Sequence, residues 1–484
     1  GNCLYNLGSF EDGLERYIAA AELMEAYEPS IELAQYVGWQ GLINLDLSRF
    51  DEAFEAYNRA LVITRELDDE VESAKLLASI GFAFDKQGDN ERAIVSYLDA
   101  VKGYRKTGNF DLLAATYESL GSLYEKSGDL WGAIETFTNL AGIYEHQRLV
   151  DQLAGALTSL GSHYYSLEKY DAAIVHFEDA LGHFVKLNKQ KDIAALHYNI
   201  GAAHTGAGRH DKALSAFLLA FELELEVNDL DSISDTGSLI ASLYEENYRY
   251  REQIAVYIKV IQSLEEVNRK EELGILLNNT GVLHYHLSEY AAAIEYYSRA
   301  LSISSELDLP SEQASQLHNI GQSLAALGQY GEAFDHYQLA FEIAEKLGND
   351  ESLGGIYNSL GELHRAWGLN QESLAYYNSA QTLFEKSESK NGLGSVYNNR
   401  GQAFRGLARY TEAIESYTDA NRIFQETGDR AGEALSFSNI GEAYRELEDY
   451  ETALRYYRRA LVIDNEIENE RGIAIRNNKI GLIS

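Results

Sequence analysis

A glycine returns every forty residues along the chain, at Gly1, Gly41, Gly81, Gly121, Gly161, Gly201, Gly281, Gly321, Gly361, Gly401, Gly441 and Gly481, with Ala241 in the one remaining place. A fixed period of this size means stacked copies of one small unit. A unit of that size cannot bury its own apolar face, so the copies must share a continuous core built from neighbour contacts.

Other columns keep the same register. Sixteen places after each glycine stands an aromatic ring: Tyr17, Tyr57, Tyr97, Phe137, Phe177, Phe217, Tyr257, Tyr297, Tyr337, Tyr377, Tyr417 and Tyr457. Small residues recur twelve places after the glycine, as in Ala53, Ala93 and Ala133, and nineteen places after it, from Ala60 to Ala460. Small residues let helices approach closely while the ring fills the space beside them. Apolar residues such as Leu273, Leu276, Leu277 and Leu283 fall mainly at three- and four-residue spacings, the mark of an amphipathic helix. Turn formers lie seven to nine places after the glycine, as in Gly88-Asp89, Gly128-Asp129 and Gly328, and again about twenty-seven places after it, as in Asp68, Gly108, Asn188, Asn268 and Gly348. Two breaks per period leave room for two helices of roughly sixteen residues.

The order glycine, small residue, aromatic, small residue, carried by Gly281, Ala293, Tyr297 and Ala300 and by Gly441, Ala453, Tyr457 and Ala460, resembles the tetratricopeptide repeat over essentially the whole chain. That family's usual period is 34 rather than 40, and its closing proline is missing here, where Pro29 and Pro310 are the two prolines. The longer repeat is similar to that of Pins/LGN-type adaptors and of bacterial signalling proteins. The resemblance implies an all-α, right-handed superhelical solenoid of about twelve helix-turn-helix repeats. The repeats stand in register at 1–40, 41–80 and so on to 441–480, and the unbroken register predicts one domain over 1–484.

Composition agrees with an ordered all-helical chain, at 45% hydrophobic and 24% charged residues. No apolar run approaches the ~20 residues needed to cross a bilayer. No secretory signal is visible, and a cytoplasmic location is expected. Cys3 stands alone, which excludes disulfide frameworks within the chain. Gly1 already sits on the glycine column, Ser484 falls inside a further copy of the first helix, and no Met opens the chain, so a fragment of a longer protein is expected.

The formal net charge is −36, of which residues 361–484 carry −4 and the first 360 residues −32. Such a field repels phosphate backbones and anionic lipid surfaces, which argues against nucleic-acid and membrane partners. It serves either as a solubility surface or to attract a basic partner to the N-terminal part.

The family resemblance implies that the first helix of each unit lines a concave groove, with groove-facing places three and two before the glycine and one, four and five after it. These offsets form one helical stripe. Two before the glycine stand Ser79, Ser119, Ser159, Asn199, Asn279, Asn319, Ser359, Asn399 and Asn439; three before it stand Asn278, Asn358, Asn398 and Asn478. Asparagine is a poor helix former, so its recurrence in mid-helix needs a reason. One reading is that the amides hold a peptide main chain, as the resemblance also implies; the other is that they bond to neighbouring helices or water. Four after the glycine come Arg365, Arg405 and Arg445, suited either to an acidic peptide or to pairing with Glu362 and Glu442. Asp85, Glu125, Thr205 and Glu245 hold that place earlier, so a groove acidic first and basic last is expected, with a partner basic at the N-terminal part and acidic at the C-terminal part.

Repeat seven departs from the pattern through Ala241, Gln253 and Val260, with Tyr248, Arg249, Tyr250 and Arg251 in its turn. Either a bend or partner contact, or plain drift, accounts for this. His204, His284 and His364 share a place held elsewhere by Phe84 or Tyr124 and read as packing residues. No HExxH, paired CxxC, phosphate loop or GxSxG elbow occurs, so no catalytic residue, cofactor or metal is expected. The function expected is a non-enzymatic protein-interaction scaffold binding an extended peptide or partner helix. The alternatives are a sensor module of a multidomain bacterial protein, family members being found joined to CHAT-type proteases, and an architectural spacer.

Overall fold

The computed structural model describes residues 5, 6 and 8–483, so the expectations that fall on Gly1, Cys3 and Ser484 lie outside the described residues. Each forty-residue period makes two helices, and from Ile31 onward successive helices are separated by two or three residues. Helix A carries the column glycine, as in Glu70–Gln87, and helix B follows, as in Asn90–Thr107. Among the described residues there are 24 helices, from Phe10–Met24 to Glu470–Gly481, and no strand.

The turns explain the twenty-residue spacing of the helices. From Ser48 to Glu468 one residue in each turn takes a left-handed backbone, as at Gly88, Gly108, Gly128, Arg148 and Glu168. At Gly128 (φ 76°) the absence of a Cβ makes this conformation inexpensive. In some turns the next residue caps the following helix through its side chain: Asp129 accepts from the Gly132 amide at 3.0 Å and Asn349 from that of Ser352 at 3.0 Å.

The glycine column exists because the ring sixteen residues later lies flat on it. A Cβ on Gly281 would come within 2.7 Å of the Tyr297 ring, on Gly361 within 2.5 Å of Tyr377, and on Gly401 within 2.6 Å of Tyr417. Ten of the twelve column rings are buried; Phe137 and Tyr257 are half-buried. The small-residue columns close the same interface, and Ala53, Ala293, Ala413, Ala60, Ala300 and Ala460 have no solvent exposure.

The chain divides into two compact units, Gly1–Glu246 and Asn247–Ser484, and the division falls inside repeat seven, the repeat that departs most from the pattern. Within each unit consecutive helices pack in series, forming an all-α solenoid. Helix A of one repeat also approaches helix A of the next, as Pro310–Ala326 does Asp350–Ala366 and Asp350–Ala366 does Lys390–Gly406. The A helices therefore form the inner, concave wall of each stack. At the start of the second unit, Gln253 is buried, donates to the Tyr257 hydroxyl at 3.4 Å and leaves its own Oε1 unsatisfied, a strained substitute for the alanine used elsewhere.

At the seam between a B helix and the next A helix, three repeats carry polar pairs twelve residues apart. These are Glu224 with Thr236, Ser304 with Gln316, and Asp464 with Arg476. Tyr104, Tyr144, Phe184, Phe384 and Phe424 hold the first of these positions in other repeats.

Candidate peptide-binding groove

The asparagines of the second unit join successive A helices. Asn319 donates to Asn278 at 3.4 Å, Asn399 to Asn358 at 3.2 Å and Asn439 to Asn398 at 2.8 Å, each pair 41 residues apart. His318 with Ser359 at 2.8 Å and Lys479 to Ser438 at 3.1 Å complete the same ladder. The residue two before one glycine thus reaches the residue three before the previous glycine. Asn358 and Asn399 both donate further to Glu362 Oε1. An amide has two donor hydrogens and an acceptor oxygen. Both hydrogens of Asn399 are therefore used within the ladder, and Asn439 uses one of its two.

The first unit's stripe behaves differently. Ser79 and Ser119 donate back to Lys75 and Ala115 of their own helices at 3.0 and 3.1 Å. Asn199 lines a cleft described below, while Asn279, at the start of the second unit's stripe, is exposed on its helix. Asp85 pairs with Lys126 at 3.3 Å, so part of the acidic face is engaged internally.

The three arginines divide by their partners. Arg445 pairs with Glu442 at 3.1 Å and Glu446 at 2.6 Å. Glu442 also receives Lys479 at 2.8 Å and, at 3.9 Å, Arg405. Burial works against the Glu442 charge, but Lys479 and Arg445 outweigh it and hold its pKa below the usual carboxylate value. Arg365 has a buried Nε with no hydrogen-bond partner. Glu362 stands nearest it in charge; loss of hydration between the surrounding helices raises the Glu362 pKa, and Arg365, Asn358 and Asn399 offset this only in part.

The column tyrosines add hydroxyls beneath this stripe, and those of Tyr377 and Tyr417 are buried without partners. Charge on Arg405 and Arg365 acts on Tyr417, whose pKa burial nonetheless pushes up to about 12. The sequence hid this distinction, since tyrosine and phenylalanine serve the column equally as rings. His318 was likewise not singled out; burial pushes its pKa down to about 4, so it is neutral near pH 7. His284 stacks on Tyr296 with centroids 5.2 Å apart and His364 packs 4.5 Å from Tyr376, as packing residues do.

One buried carboxylate outside the groove has a measurable signature. Glu224 has its pKa pushed up to about 7, first by burial, with Asp229 and Asp235 adding to it against a hydrogen bond from Thr236. Above the ordinary carboxylate range the unfolded chain has released this proton while the folded chain keeps it. Stability therefore falls as pH rises from about 4.5 to about 7, by up to about 1.4 kcal/mol per pH unit. Denaturant melts across that window should show this decline in the wild type and a flatter profile in Glu224→Gln.

Among the described residues no three His, Cys, Asp or Glu side chains gather to hold a metal ion, and no helix is long and apolar enough to cross a membrane. Residues 312–386 and 392–466 match the tetratricopeptide repeat family model, and residues 47–198 match that of soluble NSF attachment protein, SNAP. No curated protein matches the chain in sequence. Similar solved structures include apo RapI, 18% identical, covering 57% of this chain and 99% of that one at a TM-score of 0.46. BtubC (BKLC) from P. vanneervenii is 21% identical, covering 45% of this chain and 92% of that one at 0.40. The apo quorum sensor NprR from B. thuringiensis is 17% identical, covering 75% and 99% at 0.37.

Proposed function

The chain belongs to the tetratricopeptide-repeat family, and on that premise we propose that it is a non-enzymatic interaction scaffold whose second unit binds an extended, acidic peptide along its concave face. The amide ladder carries this reading. Rungs at Asn358–Asn399 and Asn398–Asn439 fix the amides before a ligand arrives, which reduces the ordering that binding requires. The Asn399 oxygen and the spare hydrogen of Asn439 are matched to main-chain N–H and C=O groups, which every peptide offers. Arg365 and Arg405 supply the charge preference, because Arg445 is already neutralised by Glu442 and Glu446. The negative first 360 residues draw a basic segment of the same or another partner.

A peptide selected from a random library against the whole chain should lose affinity at least about thirtyfold, ~2 kcal/mol, for Asn399→Ala/Arg405→Ala, since an amide bond and a charge-assisted bond go together. Arg445→Ala should change it far less. Unchanged affinity in the double variant removes these residues from the reading.

A further inference from the structure

The first unit contains a cleft of about 470 Å³ between the A helices Gln190–Gly206 and Leu230–Glu246, closed at one end by the C-terminus of the B helix His210–Glu226. Lys191, Asp192, Tyr198 and Asn199 line it from the first A helix, Glu224 and Asp229 from the B helix and its turn, and Asp235 and Thr236 from the second A helix. Where five other repeats place a tyrosine or phenylalanine, this one has the slimmer Glu224.

Glu224 is only 3% exposed, and its two oxygens are in different situations. Oε1 accepts from Thr236 at 2.9 Å, whereas Oε2 is buried with no partner. A buried carboxylate left half-satisfied costs stability unless something pairs with it. Asp192, Asp229 and Asp235 surround the same cleft, and Lys191, the one basic group lining it, reaches only Asp229, at 3.9 Å. Four carboxylates therefore face one lysine. They are too dispersed to chelate a metal ion, so the cation that fits is larger and carries several N–H donors.

We infer that this cleft binds an organic ammonium group, with Glu224 and Asp235 as its principal acceptors, and that the ammonium is the side chain of a lysine on a basic protein partner. A Lys ammonium offers three donors on a thin apolar stem, matching a deep acidic cleft with Ala194, Ala195 and Val227 on its walls. The partner is a protein because the same chain carries −32 over its first 360 residues, a field that gathers polybasic segments. Entry of the cation displaces the proton that Glu224 keeps near neutrality, so binding and proton release are coupled. Asp229 and Asp235 act on that proton through their charge, and Asp192, Lys191 and the Tyr198 side chain line the same space. This inference rests on the basic-partner half of the proposed function and is independent of the groove residues Asn399 and Arg405.

The test uses the whole chain and a glycine pentapeptide with a central lysine, blocked at both ends, titrated calorimetrically from pH 6 to pH 8. The companion probes are the same peptide with norleucine for lysine, and spermidine. The expected result is binding of the lysine peptide that tightens as pH rises through about 7, proton release measurable by changing buffer, and no binding of the norleucine peptide. Glu224→Gln should abolish the pH dependence and weaken binding at least tenfold. Asp235→Asn, at an exposed position where the change leaves the fold intact, should weaken it several-fold. Binding of spermidine without the lysine peptide overturns the protein partner and assigns the ammonium site to a free polyamine. Equal binding of the norleucine peptide, or affinity unchanged in both variants, overturns the site while leaving the second unit's groove reading intact.

Discussion

Tyr417→Ala lowers the stability of the second unit by about 3–5 kcal/mol, the range for emptying a buried aromatic site. Tyr417 has no solvent exposure, and its ring is pressed against the glycine of its own repeat, where a Cβ would lie 2.6 Å away. The alanine variant removes that ring from between two helices that cannot close the gap, because Ala413 and Ala420 beside it are already small. The reciprocal change, Gly401→Ala, forces a methyl into the ring and costs about 1–3 kcal/mol. Tyr417→Phe separates ring from hydroxyl. The hydroxyl is buried and makes no hydrogen bond, so its removal leaves stability unchanged or raises it. Urea unfolding of the three variants distinguishes these effects; a Phe variant as damaged as the Ala variant would show that the hydroxyl, not the ring, holds the site.

Arg476→Ala destabilises the docking of the last helix, Glu470–Gly481, by about 3–5 kcal/mol. Asp464 has no exposure and Arg476 is 7% exposed, and they pair at 3.2 Å across the seam between the last B helix and this A helix. Asn469 also donates to Asp464 at 2.7 Å, which does not replace a guanidinium as counter-charge. Removing the arginine leaves a carboxylate buried beside a neutral amide. Replacing both residues together, as Asp464→Leu/Arg476→Met, should recover most of the loss, since a buried pair rarely outperforms well-packed apolar groups. Hydrogen exchange of the amides in 470–481 reads the effect locally. Protection unchanged in Arg476→Ala would mean that the pair contributes nothing to holding the helix.

The fold was legible because its information is periodic. The glycine, ring and alanine columns specify a helix pair, and the turn columns place its ends to within a residue or two, as Gly128-Asp129 does by combining a left-handed residue with a helix cap. What the columns mean physically needed coordinates: glycine marks the repeat because the ring of the same repeat occupies the place of its side chain. The groove was legible as a stripe but not as a network. An asparagine column leaves open whether its amides meet a ligand, a neighbouring helix or water, whereas in the structure the rungs run between residues 41 apart, one more than the period. The sequence offered Glu362 and Glu442 as same-helix partners for two of the arginines but not the reach between repeats, by which Glu442 engages Arg445 closely and Arg405 at 3.9 Å. The division between Glu246 and Asn247 falls within repeat seven, where Ala241 and Gln253 depart from the columns. Glu224 gave no signal of its own, since one acidic residue among 76 stands out only when its burial is known.

The central claim is that ligand lies on the A-helix wall of the second unit. A photo-crosslinker placed at Gln402, on that wall, and separately at Thr418, exposed on the following B helix, tests it directly with a library-selected peptide. The account predicts crosslinking at position 402, suppressed by excess unlabelled peptide, and none above background at 418. Capture at 418 alone, or equally at both, would contradict it.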